Sequence, residues 1–592
     1  MLKSFRRLFV IYKQFRGRLI LSQVLLLISA LCMIGVATMN QVLINDGIAA
    51  QNPEVIINTG TNMIILAIIA GITMAGTAGL AVFFSQGTAY IIRVELYNKI
   101  QTFSFANFDQ FRTGNLLVRL NSDVVNIQNA VTYMIVLLLY APFMVLVAFV
   151  LAFIFTPSLA WILVVVSVVV LALMAILVPQ VFRAYDDRQH RLDAVNNTLQ
   201  ENLSGVRVVK AFVREKLEIN RFAGRADEMR KPAFAAAFRV AVFSPILTSI
   251  AQISIAFTIG YGGTEVLSGT GLNVGELITF MQYLNLVIMP LAMLAIVIPF
   301  MLRGDASAQR IFEVIDAEPA VLDREDAKPL ETDAIKGRIV FENVTFAFRR
   351  PDGEFDPPAL KNINLTIEPG EKVGFLGATG AGKSALVNLI PRFYDVTEGR
   401  ITIDGVDVRD IPQAQLRQIV GIALQEAVLF QGDIRFNLKF GAPEVEDRVM
   451  WNAAKAADAY GFINGLPQNW EAPVARRGYN FSGGQRQRLS MSRTLATRPN
   501  ILILDDSTSA LDVATESRVQ DAIPAYAPGM TTLYVAQRIS AVLNLDKIVL
   551  MEYGEITGVG THEALLKTNT LYQEIYESQL GGSITAGLEV DA

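Results

Sequence analysis

Long stretches without a charged residue alternate with charged stretches over the first half of the chain. No Asp, Glu, Lys or Arg occurs in five such stretches, 19–45, 55–92, 124–182, 240–264 and 277–302. Each exceeds the roughly 20 apolar residues that a helix needs to cross a bilayer. The third is long enough for two spans, and Thr156-Pro157-Ser158 interrupts it near the middle. The pattern predicts six membrane-spanning helices, at about 19–42, 61–85, 132–155, 159–181, 241–263 and 275–301.

Positive charge is distributed unequally among the connections between these spans. The N-terminal segment and the connections after the second and fourth spans are rich in Lys and Arg. The opposite connections, near 43–60, 156–158 and 264–274, contain neither residue. Because cytoplasmic loops of membrane proteins carry the excess of Lys and Arg, both termini are predicted to be cytoplasmic. We expect a multi-pass protein of the cell (plasma) membrane.

The two long basic connections have a helical pattern of their own. Apolar residues recur three or four positions apart in Ile92-Leu96-Ile100 and in Leu199-Leu203-Val206. The connections are therefore predicted to be helices that continue beyond the bilayer. Each pair has to reverse direction, which we place near Ala106–Thr113 and near Ala211–Arg221.

After Arg303 the chain changes character. Short β-rich runs alternate with helical patterns, which predicts an α/β domain with a largely parallel sheet. The predicted strands are Arg338–Phe341, Lys372–Leu376, Ile419–Leu424, Ile501–Leu504, Thr531–Val535 and Lys547–Met551. We divide the chain into a transmembrane domain at 1–305, a linker at 306–335, a second domain at 336–580 and a frayed tail at 581–592.

Composition supports a membrane protein and excludes several other classes. The chain has 592 residues, of which 52% are hydrophobic and only 18% charged, and its net charge is −4. This composition argues against a disordered chain and against a nucleic-acid binder. The single cysteine, Cys32, excludes an intrachain disulfide and a zinc site of paired cysteines.

A glycine-rich loop follows the predicted strand Lys372–Leu376. It reads Gly377-Ala-Thr-Gly-Ala-Gly-Lys383-Ser384 and leads into a predicted helix at Ala385–Ile390. In this strand–loop–helix setting the pattern is a Walker A loop, in which backbone N–H groups and a helix N-terminus surround phosphates. The predicted nucleotide contacts are Gly377, Ala378, Thr379, Gly380, Ala381, Gly382, Lys383, Ser384 and Ala385.

The side chains of this loop predict both ATP and Mg²⁺ as ligands. Lys383 is expected to reach the β- and γ-phosphates, and the Ser384 hydroxyl to bind Mg²⁺. Asp505 ends the apolar strand Ile501–Leu504 and is the Walker B carboxylate for the same ion. By itself the loop would also fit a kinase or a GTPase.

A second motif distinguishes this chain from kinases and GTPases. Phe481-Ser482-Gly483-Gly484-Gln485 lies just upstream of Asp505 and closely resembles the signature of the ATP-binding cassette (ABC) family. Further motifs of the family are matched by Gln425 (Q-loop), Ser509-Ala-Leu-Asp512 (D-loop), Phe348 (adenine stacking), Thr113-Gly-Asn-Leu and Val209-Lys-Ala-Phe212. Over its whole length the chain resembles half-size ABC exporters of the P-glycoprotein and bacterial multidrug type.

The resemblance implies a fold, a reaction and an assembly. The fold would be a six-helix membrane bundle fused to an α/β P-loop domain, the nucleotide-binding domain, on which coupling helices rest. Two chains would pair, with each ATP between the Walker A loop of one chain and the signature of the other. Gln425 would join Ser384 and Asp505 at Mg²⁺. The residues implied to contact the partner's ATP are Ser482, Gly483, Gly484, Gln485 and Asp512.

Two positions depart from the family pattern. The family places Glu directly after the Walker B Asp, and this chain has Asp506; the family's switch histidine is replaced by Gln537. Asp is one methylene shorter than Glu, so its carboxylate would sit ~1.5 Å too far back to act as a base. Gln cannot carry an imidazolium charge. We expect a degenerate site that binds ATP but hydrolyses it poorly, and a heterodimer whose partner has Glu and His at these positions and an impaired signature. A homodimer is the alternative.

The leading hypothesis is therefore an ABC-type ATPase that exports hydrophobic or amphipathic compounds. A lipid translocator is a close variant. An ATP-gated channel or regulatory subunit is a different class, which uphill accumulation in vesicles would distinguish from a pump. An importer of the same fold is also compatible with the sequence.

Overall fold

The computed structural model describes Arg7 and residues 16–269, 271–331, 335–350 and 353–581. The chain forms two compact units. Unit 1 consists of the residues up to Ile100 together with Leu116–Ala317, and unit 2 of Gln101–Asn115 together with the chain from Glu318 onward. Of the predicted frayed tail, 581–592, all but Gly581 lies outside the described residues. The predicted domain limits stay a prediction.

Long helices make up unit 1. Its helices are α1 (Arg16–Val42), α2 (Pro53–Gln101), α4 (Thr113–Val118), α5 (Val124–Tyr133), α6 (Tyr140–Phe155), α7 (Pro157–Ser204), α8 (Val206–Ala211), α9 (Glu215–Ser268) and α10 (Val274–Asp316). Single wider π-helical turns continue them at Leu43–Ala49, Arg119–Asp123 and Met134–Leu138. The short helix α3 (Phe105–Gln110) folds with unit 2.

Six helical segments among the described residues are long and apolar enough to cross a membrane, which confirms the predicted number of spans. α6 ends at Phe155 and α7 begins at Pro157, as Thr156-Pro157 predicts, because proline suits the first position of a helix. α2, α7, α9 and α10 contain 49, 48, 54 and 43 residues, so they extend well beyond the roughly 20 residues of a span.

The second reversal of the chain is longer than predicted. We predicted it near Ala211–Arg221, and the helix does break there, at 212–214, before α9 begins at Glu215, but it also breaks earlier, at Gly205. Glu215 and Glu218 lie in the first turn of α9, where acidic side chains stabilise a helix through its dipole. The helical start signal was therefore inside the segment that we assigned to the turn.

The described interior of unit 1 is mostly apolar, and a charged cluster lies within it. Fully buried Phe280, Tyr283 and Leu284 of α10 belong to an apolar core that also includes parts of α1, α6 and α7. Asp123 is buried and forms an ion pair with Arg310, and the Ser307 hydroxyl donates to the same carboxylate at 2.8 Å. A buried carboxylate needs such partners, so this cluster fixes the start of α5 against α10.

Two large sheets and a two-stranded one form the framework of the described part of unit 2. Its strands are β1 (Ile339–Phe346), β2 (Leu360–Ile367), β3 (Lys372–Leu376), β4 (Glu398–Ile403), β5 (Val406–Asp407), β6 (Val420–Ala423), β7 (Gly432–Asp433), β8 (Pro473–Val474), β9 (Ile501–Asp505), β10 (Thr531–Ala536), β11 (Lys547–Glu552) and β12 (Glu555–Gly560). The two-stranded sheet is β7-β8. The six-stranded sheet has the order β12-β11-β3-β10-β9-β6 and is parallel except for β12.

The second sheet was not predicted. It has the order β2-β1-β4-β5 and is antiparallel, so the predicted strand at Arg338–Phe341 belongs to it and not to the parallel sheet. β2 reads Leu-Lys-Asn-Ile-Asn-Leu-Thr-Ile, and its polar residues are exposed between buried apolar ones. Such alternation is typical of a sheet with one covered face.

Helices cover the parallel sheet and form a small subdomain beside it. They are α11 (Lys383–Leu389), α12 (Gln413–Ile419), α13 (Ile434–Lys439), α14 (Asp447–Ala456), α15 (Tyr460–Asn464), α16 (Gly483–Ala496), α17 (Val513–Tyr526), α18 (His562–Thr568) and α19 (Thr570–Tyr576). Ile501 and Ile503 of β9 pack into one apolar core, and Leu502 and Leu504 into another. Both faces of the sheet are therefore buried, which explains the continuous apolar runs of its strands.

Candidate functional site

Four neighbouring strands of the parallel sheet end at the same edge. β3, β10, β9 and β6 are adjacent and parallel, so their carboxyl ends meet there. Gly377 follows β3, Gln537 follows β10, Asp505 ends β9 and precedes Asp506, and Gln425 lies just beyond β6. The carboxyl edge of a parallel sheet is the usual place for a ligand site in open α/β folds. The topology thus brings together residues that are far apart in sequence.

The Walker A loop passes from β3 into α11 through a backbone that requires glycine. Gly382 has φ +98°, and a Cβ there would lie 2.8 Å from the carbonyl oxygen of Ala359. Lys383 is buried, and its Nζ donates to the carbonyl oxygens of Gly377 at 2.7 Å and Ala378 at 2.9 Å. Its ammonium group therefore lies inside the hollow of the loop, and burial lowers the pKa of Lys383. This is where the loop is expected to hold phosphates.

The residues predicted to bind Mg²⁺ include one pair in direct contact. The Ser384 hydroxyl donates to Oδ1 of Asp505 at 2.8 Å, and Asp505 is buried. Burial raises the pKa of this carboxyl, although the hydrogen bond from Ser384 opposes the shift. Mg²⁺ prefers oxygen ligands and is usually held by one or two protein groups together with substrate phosphates and waters. The hydroxyl and carboxylate oxygens fit that ion, which when bound neutralises charge on the phosphates.

Both residues that depart from the family pattern meet in one hydrogen-bonded group. Oδ2 of Asp506 accepts from Nε2 of Gln425 at 3.2 Å and from Nε2 of Gln537 at 3.3 Å. Oε1 of Gln537 lies 3.5 Å from the hydroxyl of Thr379 in the Walker A loop. Burial raises the pKa of Asp506, while the Gln425 amide lowers it. One oxygen of the carboxylate is thus occupied by two neutral amides.

The signature motif forms the start of α16. Ser482 caps this helix: its Oγ accepts from the backbone N–H of Gln485 at 3.3 Å, and Oε1 of Gln485 accepts from the N–H of Ser482 at 2.9 Å. Gly483 and Gly484 follow in the first turn, where backbone N–H groups suit an anion. Among the described residues no hydrogen bond joins this motif to the Walker A loop of the same chain. Its contact with a partner's ATP stays a prediction.

Four further predicted residues are described by their structural surroundings. Asp512 caps α17 by accepting from the backbone N–H of Thr515 at 2.9 Å, and this bond lowers the pKa of Asp512. Ala381 and Ala385 have buried side chains, so their backbones are the groups left to face a ligand. Gly380 has φ +86° and leaves open space beside it.

Phe348 lies in an aromatic cluster at the end of β1. Its ring is 4.8 Å from that of Phe346 and 5.4 Å from that of Tyr394, edge to face in both pairs. The backbone of Phe346 accepts from the N–H of Ala359, the residue that approaches Gly382. The cluster therefore lies on the strand that borders the Walker A loop, and adenine stacking by Phe348 stays a prediction.

The first cytoplasmic turn contributes contacts that the sequence did not reveal. The ring of Phe105, in α3, stacks on Phe393 at 4.1 Å, and the Tyr394 hydroxyl donates to Oδ2 of Asp109 at 2.8 Å. Burial raises the pKa of Tyr394, and the hydrogen bond to Asp109 raises it further. α3 therefore rests on the nucleotide-binding fold, as the resemblance implies for a coupling helix.

Six membrane-crossing helices and a P-loop ATPase fold with a signature motif define an ATP-hydrolysing membrane transporter. Family models agree: the model described as ABC transporter transmembrane region matches residues 19–291, and the model described as ABC transporter matches residues 360–509.

Relatives extend over nearly the whole chain. An uncharacterized ABC transporter ATP-binding protein of Bacillus subtilis, YfiB, is 36% identical over 543 residues, covering 91% of this chain and 92% of its own. The ATP-dependent lipid A-core flippase of Syntrophus aciditrophicus is 34% identical, covering 97% of this chain and 94% of its own. A bacterial Atm1-family ABC exporter with ATP bound has the same fold, with a TM-score of 0.78 at 23% identity, covering 95% of this chain and 98% of its own. The chain belongs to the ABC transporter family and is a half-size ABC exporter.

Proposed function

We propose that this chain exports hydrophobic or amphipathic compounds, with both termini in the cytoplasm. The observation that carries the proposal is a cavity of 330 Å³ in unit 1, between α7, α9 and α10. It is lined by Val178, Val181, Phe182, Tyr185, Val240, Phe243, Pro299, Phe300 and Arg303. These residues lie at the basic ends of the fourth, fifth and sixth spans, which are the predicted cytoplasmic ends.

The lining of this cavity suits an amphipathic compound. Its walls are mostly aliphatic and aromatic, and Arg303 is the one charged residue among them. In the part of the chain that the structure describes, Arg303 has no ion pair with a carboxylate. An apolar body would fill the cavity, and a polar or anionic end would meet the guanidinium group.

Arg303→Ala tests this assignment. We expect uptake of an anionic amphipath into inside-out vesicles to fall roughly tenfold, because a charge-assisted hydrogen bond is lost, while a neutral analogue is little affected. The readout is ATP-dependent uphill accumulation of a fluorescent compound. Arg183→Ala is the matched control, since Arg183 is on α7 but does not line the cavity. Equal loss for both compounds, or for the control variant, would contradict the assignment.

Lipid translocation is the second candidate. The specific observation in its favour is the 34% identity to a protein named ATP-dependent lipid A-core flippase. Movement of a fluorescent phospholipid between leaflets, with no accumulation of free amphipaths, would favour it. An ATP-gated channel or regulatory subunit would produce no uphill accumulation at all.

We further propose that the chain is one half of a heterodimer and that its own site binds ATP but hydrolyses it poorly. The contacts of Asp506 support this: its carboxylate is short and is held by the amides of Gln425 and Gln537. The signature keeps its serine and both glycines, so it can complete a working site on a partner. The partner would have Glu and His at the two replaced positions.

Co-expression tests the heterodimer. We expect negligible ATPase activity from the purified chain in lipid, and turnover at least ~10²-fold higher when a second half-transporter with the Glu and His pattern is co-purified, because only that partner supplies a base. Replacing the partner's Walker B Glu with Gln should abolish the gain. If activity survives that replacement, hydrolysis occurs at this chain's own site and the proposed asymmetry is wrong.

A further inference from the structure

The C-terminal segment of the chain contacts the loop that bears Gln537. Gln579 lies in the helical turn Glu577–Gly581 after α19. Its Nε2 donates to the carbonyl oxygen of Gln537 at 3.0 Å, and its Oε1 accepts from the N–H of Ile539 at 2.7 Å. One side-chain amide thereby satisfies both backbone groups that flank Arg538, as a neighbouring strand would.

This loop leads directly to the ATP site. The side chain of Gln537 donates to Asp506 at 3.3 Å and lies 3.5 Å from the hydroxyl of Thr379. Asp506 directly follows Asp505, which accepts from the hydroxyl of Ser384, the neighbour of Lys383; Lys383 is the residue expected at the β- and γ-phosphates. Gln579 is therefore one residue removed from the end of the site that would hold the terminal phosphate, without lining it.

Packing fixes the two ends of the loop but not its middle, because Ala536 and Ile539 are buried whereas Gln537 and Arg538 are exposed. A cavity of 330 Å³ lies between the Walker A loop and the C-terminal helices, and its lining includes Thr379, Gln537, Leu571, Ile575 and Gln579. A loop beside free volume can move unless polar contacts hold it. The Gln579 amide supplies two such contacts.

The segment that bears Gln579 is itself well anchored. Tyr572 of α19 is fully buried, and its hydroxyl lies 2.7 Å from Nδ1 of His562, at the start of α18. Asn569 caps α19 by accepting from the N–H of Tyr572. Gln579 therefore follows a helix, α19, that is held in place by burial and by its N-terminal cap.

We propose that Gln579 is a positioning residue that holds Gln537 over the terminal phosphate of bound ATP and so sets the preference for ATP over ADP. ADP lacks the phosphate that Gln537 would meet. The inference concerns binding and stands whether or not this site hydrolyses ATP, and whichever substrate is exported.

The test compares ATP and ADP binding by Gln579→Ala. With the full-length chain in lipid nanodiscs and fluorescent analogues of both nucleotides, we expect ATP affinity to fall about tenfold and ADP affinity to change less than about twofold. Gln573→Ala is the control, since Gln573 is on the same segment and donates to Leu566 at 2.7 Å, away from the loop. It should leave both affinities unchanged.

Two further variants separate positioning from general destabilisation. Gln579→Glu keeps an acceptor for the N–H of Ile539 but places a carboxylate oxygen against the carbonyl oxygen of Gln537, so a loss of ATP preference at least as large as in Gln579→Ala is expected. In a Gln537→Ala background, Gln579→Ala should cause no additional loss, because its effect passes through Gln537. Equal weakening of ATP and ADP, additive losses, or an unchanged ratio in Gln579→Ala would each overturn the proposal.

Discussion

The double variant Asp506→Glu, Gln537→His is expected to hydrolyse ATP at least ~10²-fold faster than the unaltered chain when each is purified alone in lipid. Glutamate extends the carboxylate by one methylene, and Gln537→His removes one of the two amides that hold Asp506 in place. The imidazole restores a group that can be charged near the terminal phosphate. The rate of phosphate release, measured at saturating ATP, checks this expectation.

Asp506→Asn is the matched control for this gain. If the Asp506 carboxylate is not a working base, the asparagine variant will keep the low rate of the unaltered chain. Robust turnover by the unaltered chain, lost in Asp506→Asn, would instead show that Asp506 serves as the base in a homodimer. In that case the degenerate-site proposal is wrong.

Lys383→Ala is expected to lower ATP affinity by roughly 10²-fold, the largest loss for a single side chain at this site. Its ammonium group is buried inside the Walker A loop, within reach of the carbonyls of Gly377 and Ala378. Removing it leaves the phosphates without the one cation of the loop. Equilibrium titration of the full chain with a fluorescent ATP analogue gives the affinity.

Lys372→Ala controls for a general effect of losing a lysine. Lys372 begins β3, at the opposite end of the same strand, and its backbone pairs with Asp546. The control should bind ATP normally. Unchanged affinity in Lys383→Ala would mean that the phosphates do not enter the loop as proposed.

The membrane unit could be predicted from the sequence because charge is costly in a bilayer. Five gaps between charged residues, one of them divided by Thr156-Pro157-Ser158, located all six segments. The reversal after α7 was harder, since its signals are a single glycine, Gly205, and two acidic residues that equally suit an exposed loop.

The residues of the ATP site could be predicted where the backbone conformation or the ligand chemistry permits only certain residue types. Gly382 must be glycine because of its φ and its distance to Ala359, and Ser384 and Asp505 are ligand types for the same cation. The strands β2, β4 and β12 were missed because exposed residues interrupt their apolar pattern, and β5, β7 and β8 because each has only 2 residues. Gln579 lies some 40 residues beyond Gln537, and only tertiary packing brings them together.

Unit 2 is discontinuous in sequence, because Gln101–Asn115 folds with residues from Glu318 onward. A chimera that exchanges only the contiguous C-terminal half between two relatives would take Phe393 and Tyr394 from one parent and Phe105 and Asp109 from the other. The stacked rings and the hydroxyl–carboxylate bond would survive only where the parents agree at these positions. The smallest segment that can be exchanged with these contacts intact therefore has two pieces, Gln101–Asn115 and the chain from Glu318 onward. Recombination between related genes preserves the contacts only when both pieces come from the same parent.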